Sequence, residues 1–107
     1  MITQLNAANL NSLDPEIHVP KYDRQKVGQS IMHIGVGGFH RAHQALYTDD
    51  LLQQGGDSHW GYCGVGLLMH DARIRDVMLP QDCLYTLVER SLEADRARFK
   101  SRITRRT

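Results

Sequence analysis

The sequence predicts an α/β protein, part of a doubly wound parallel sheet built in the order β-α-β-α-β. Three observations lead there. Strand-favouring runs ending at Ile34, Leu68 and Glu89 alternate with two segments of helical spacing. Glycines follow the first run at once, at Gly35, Gly37 and Gly38, the order that a strand-turn-helix phosphate site requires. Parallel strands joined through helices take right-handed crossovers, so the alternation predicts the sheet type as well.

The elements follow in order. Residues 1–28 are polar and interrupted by Pro15 and Pro20, which predicts a short helix over Gln4–Leu13 and then an extended arm over the core. Ser30–Ile34 reads as a strand buried on both faces, as in parallel sheets. Phe39–Gln54 reads as a helix with Ala42, Ala45, Leu46 and Leu52 near one face. Asp49 interrupts that stripe, and Asp49 with Asp50 is expected on a solvated surface. Gly55 and Gly56 stop the helix.

Trp60–Leu68 is the second strand, its glycines leaving room for helices to pack. Asp71 opens a second helix running to about Leu79, with Ile74, Val77 and Met78 at helical spacing and Pro80 at its end. Cys83–Glu89 is the third strand. Beyond it the rhythm breaks. The chain up to Asp95 holds twelve acidic and seven basic residues, a net charge of −5, while Arg96–Thr107 holds six basic residues and no acid. Phe99 and Ile103 stand isolated among those arginines. The expected organisation is therefore an arm over 1–28, a partial dinucleotide-binding domain over 29–90, and a basic tail over 91–107.

The totals exclude several classes. A chain of 107 residues with 41% hydrophobic and 23% charged residues has room for one small globular domain. The opening residues lack a signal-peptide pattern and no run reaches membrane-spanning length, so the expected location is cytoplasmic and no membrane partner is expected. Cys63 and Cys83 read as small hydrophobes in a reducing compartment. No GK[ST] follows the glycines, which argues against a triphosphate loop. His40 and His43 form an HxxH pair, but no acidic or cysteine ligand stands at a recognised spacing from them, so no metal is expected. The basic tail lacks an aromatic platform or recognition helix, so nucleic acid is not expected as a partner either.

The chemistry gathers at Gly35-Val36-Gly37-Gly38. Without side chains the backbone can approach a pyrophosphate, and the following helix start presents unpaired N–H groups. Arg41 lies where it can add a charge-assisted contact. His40 occupies the place of a third glycine in the general fingerprint. Asp71, beyond the second strand, is read either as the acceptor of the adenosine ribose hydroxyls or as a helix cap. A carboxylate there points to NAD rather than NADP, and His70 and Arg73 keep NADP open.

The stretches HIGVGGFHRAHQALYTDDLL, WGYCGVGLL and QDCLYTLVE resemble the mannitol dehydrogenase family, the polyol-specific long-chain dehydrogenases and reductases, with the mannitol-specific members nearest. The resemblance accounts for His40, because the family carries Phe-His-Arg where other dinucleotide folds place the third glycine. It implies a Rossmann-type NAD-binding domain followed by a mostly helical substrate domain, and metal-free hydride transfer between a polyol or sugar acid and its keto form. It assigns Gly35, Val36, Gly37, Gly38, Phe39, His40, Arg41 and Asp71 to cofactor binding. The family's catalytic lysine lies in the distal domain and matches nothing here, so the resemblance implies an N-terminal portion without activity of its own. The final ARFKSRITRRT reads as a truncated or out-of-frame end. The alternative function is a non-enzymatic nucleotide-binding module.

Overall fold

The computed structural model describes residues 3–94 and 96–105. The chain forms the expected alternation, but its strands divide between two small sheets. Strands β1 (Ile31–Ile34) and β2 (Tyr62–Val65) pair in parallel, Ile31 opposite Tyr62 and Ile34 opposite Val65. The crossover between them begins at Gly38 as a helix, widens into a π-helical turn over His40–Gln44, and continues as α1 (Ala45–Gln53). Its end follows the glycines. Gly55 takes φ +83°, and the Gly56 N–H donates to the Leu51 carbonyl at 2.9 Å, a Schellman-type stop. Helix α2 (Asp71–Met78) passes into a short turn over Leu79–Gln81 that contains Pro80.

Strand β1 is not buried on both faces. Ile31 and His33 are partly covered on the side of α1, where the His33 ring stacks on His40, while Met32 and Ile34 on the other side are 70% and 62% exposed. A two-stranded sheet with helix cover on one side leaves the alternate residues bare.

The third strand departs furthest from expectation. β3 (Leu84–Glu93) does not extend the parallel sheet; it pairs antiparallel with β4 (Arg96–Arg105), turning at Ala94. Within the stretch read as a basic tail, residues 96–105 form a strand. Two-residue alternation explains it: Glu89 faces Lys100 and Glu93 faces Arg96 across the ladder, and Arg98 bonds the Glu93 carboxylate at 2.7 Å. Two residues of the basic run thus stand opposite the two acids of β3. The opposite face supplies Leu84 and Ile103, which form a core cluster with Leu10 of the N-terminal arm. The arm forms short helical segments over Ala7–Ser12 and Arg24–Lys26 and runs beside β4, where the His18 carbonyl accepts the Ile103 N–H at 2.7 Å.

Asp49 is likewise not on a solvated surface. It is 1% exposed, accepts the Tyr22 hydroxyl at 2.6 Å, and pairs with the Arg102 guanidinium at 2.6 Å. The same guanidinium bonds Asp50 at 2.7 Å. Burial pushes the Asp49 carboxyl above the usual carboxylate range, while Tyr22 and Arg102 pull it back down. Arg102 thereby fastens β4 to α1. The acid interrupts the apolar stripe because its partner arrives from 53 residues away.

Candidate functional site

The glycine turn leaves β1 with Gly35 at φ +86°, a conformation in which a Cβ would be strained, and the Gly35 N–H bonds the Val65 carbonyl of β2 at 2.8 Å. Gly37 and Gly38 differ. A Cβ on either would meet no atom within 4 Å, and neither has a positive φ. Nothing in the chain itself requires glycine there, so the bare backbone suits the approach of another molecule. The Gly37 carbonyl accepts both the N–H and the Nε of Arg41, at 3.2 and 3.3 Å.

His40 turns inward. It is 2% exposed, stacks on His33 with ring centroids 3.9 Å apart, meets Tyr62 edge-on at 5.0 Å, and bonds Gln44 through Nδ1 at 3.0 Å. In place of a third glycine this chain has an aromatic plug between the helix start and the sheet. Phe39 is exposed and stacks on His43, whose Nδ1 bonds the Phe39 carbonyl at 3.1 Å. Among the described residues no three His, Cys, Asp or Glu side chains are grouped to hold a metal ion.

Asp71 sits at the first position of α2 and makes no helix cap. Its Oδ2 accepts the N–H groups of Leu67 and Leu68 at 3.0 and 2.9 Å, folding the loop after β2 around the carboxylate. Oδ1 has the His70 ring 3.6 Å away. Gly66, read in the sequence as room for a helix, admits the first residue of α2, Asp71. A Cβ there would lie 2.5 Å from Asp71 Cβ. A glycine five residues before an acid is visible in the sequence, but the clash that makes it necessary is not.

Val36 and Asp71 line one open cavity of about 490 Å³ that runs from Gln29, ahead of β1, past Cys63 to the carboxyl ends of β1 and β2. Doubly wound sheets bind their ligands at this end. Leu67, Ile74 and Met78 add apolar wall, as do Cys63 and Cys83, both half-buried free thiols, Cys83 packing against the core cluster of Ala45, Met78 and Tyr85. The structure thus brings part of the turn and the carboxylate to a single cavity and takes the His40 ring away from the surface.

Residues 29–105 match the family described as the mannitol dehydrogenase Rossmann domain. The chain belongs to the mannitol dehydrogenase family. The match runs through β4, across the stretch that charge alone set apart. Mannitol dehydrogenase 2 of Saccharomyces cerevisiae is 46% identical over 102 residues, covering 95% of this chain and 20% of the relative. Mannitol 2-dehydrogenase of Pyrenophora tritici-repentis is 48% identical over 101 residues, covering 94% and 18%. Mannitol 2-dehydrogenase of Pseudomonas fluorescens, solved as a ternary complex with NAD and D-mannitol, superposes with a TM-score of 0.87 at 45% identity, covering 95% of this chain and 20% of that one. The chain therefore spans about a fifth of the length of the relatives it matches. The partial α/β architecture is that of the family's Rossmann domain. Among its described residues no helix is long and apolar enough to cross a membrane.

Proposed function

We propose that this chain binds NAD for a polyol dehydrogenase that moves a hydride between a mannitol-like polyol and its ketose. One observation carries the reading: Val36 of the glycine turn and Asp71, beyond the ends of two parallel strands, line the same cavity. The solved relative that binds NAD and D-mannitol supports the choice of cofactor and substrate class.

The residues present suit a dinucleotide. Gly37 and Gly38 offer uncrowded backbone for a pyrophosphate, with Val36 beside the cavity and Gly35 setting the turn. Phe39 and His40 shape the helix start, and Arg41 supplies positive charge next to the phosphates. Asp71 presents Oδ1 to the adenosine ribose while Oδ2 holds its own loop, and a fixed anion there disfavours a 2′-phosphate. When bound, NAD supplies the hydride acceptor. No residue of this chain is assigned to proton transfer on the polyol.

Calorimetric titration of the chain with NAD, NADP and ADP-ribose tests the reading. Binding of NAD and ADP-ribose in preference to NADP is expected. Absence of binding by all three would overturn it.

A further inference from the structure

We propose that Tyr85, on the hairpin, is a positioning residue of the cofactor turn, acting through the backbone of the π-helical turn that follows the glycines. The inference rests on the dinucleotide reading above. In an α-helix the Ala45 N–H would bond the Arg41 carbonyl, four residues back. Here it bonds the His40 carbonyl, five residues back, which diverts its hydrogen bond from Arg41. The Arg41 carbonyl instead accepts the Tyr85 hydroxyl at 2.6 Å. A widened turn is stable only when the backbone group it displaces finds another partner, and β3 brings that partner from 44 residues away.

The position of this bond gives it functional weight. Within the same turn lie His40, plugged against His33 and Tyr62, and Arg41, whose Nε reaches back to the Gly37 carbonyl. The turn begins two residues after Gly38, so its width sets the direction of the helix start that a pyrophosphate would meet. Tyr85 is buried against Ala45 and Met78, with its ring packed in the core and its hydroxyl aimed at one carbonyl. Arg102 grips the same helix further along, at Asp49 and Asp50, whereas the Tyr85 contact lies at the turn.

The test compares Tyr85→Phe with Arg102→Met in urea unfolding and in calorimetric titration with NAD. Losing the hydroxyl should weaken NAD binding about tenfold, the equivalent of one hydrogen bond. Arg102→Met should lose more stability yet bind NAD within about twofold of the wild type. Equal weakening by both variants would overturn the inference, because general loosening of the hairpin would then suffice. Unchanged NAD affinity in Tyr85→Phe would overturn it and leave the cofactor reading intact. Global unfolding of Tyr85→Phe would also overturn it, since the hydroxyl would then hold the core rather than the turn. A wild-type chain that takes up no NAD would remove both readings together.

Discussion

Alanine at Gly37 or Gly38 should separate folding from cofactor binding. A Cβ at either position meets nothing within 4 Å, and neither backbone has the positive φ that penalises side chains. For the fold alone each substitution is therefore neutral or stabilising, by up to about 1 kcal/mol, because the unfolded chain loses freedom. Binding should move the opposite way. A methyl fixed to backbone that a pyrophosphate must touch is an overpacking defect of about 1–3 kcal/mol, or roughly five- to 150-fold in affinity. Urea unfolding followed by circular dichroism reads the first quantity, and calorimetric titration with NAD and ADP-ribose reads the second. Two alanine variants that kept both their stability and their NAD affinity, to within about twofold, would refute the assignment of this backbone to the pyrophosphate.

Three further outcomes are expected. Gly66→Ala should destabilise the chain by about 1–3 kcal/mol in the same unfolding assay, because its Cβ would stand 2.5 Å from Asp71 Cβ, which cannot swing aside. Asp71→Asn keeps an oxygen for the Leu67 and Leu68 N–H groups, so the loop should persist while NAD binding weakens roughly tenfold and NADP is discriminated less, measured by parallel titrations. Arg102→Met strands the Asp49 carboxylate and should cost about 3 kcal/mol at neutral pH. Asp49 already has a raised pKa through burial, and removal of Arg102 raises it further. Protonation of the folded state therefore relieves the defect as pH falls through that raised pKa toward 3.8, so the penalty should shrink on acidification. A penalty that did not change with pH would show that Asp49 is not the stranded group.

The hairpin shows where reading by residue type stops. Arg96–Arg105 alternates with period two, yet its charge obscured the pattern because four of its first seven residues are basic. Those charges make sense once Glu89 and Glu93 stand opposite and Asp49 and Asp50 lie behind. Asp49 shows the converse difficulty. An acid on a helix is ordinarily solvated, and only the arrival of Tyr22 from one side and Arg102 from the other makes its burial tolerable.

By itself the sequence determined the local elements: strand, glycine turn, helix and second strand, because hydrophobic period and glycine placement act over a few residues. Through the Phe-His-Arg motif it also determined the family. Only the tertiary structure decided which groups those elements hold against one another. It turned His40 inward onto His33 and Tyr62, and gave Asp71 the loop after β2 to hold. It also set the Tyr85 hydroxyl against the Arg41 carbonyl of the π-helical turn. These are contacts between distant residues, and their energies depend on burial and alignment that no single stretch of chain contains.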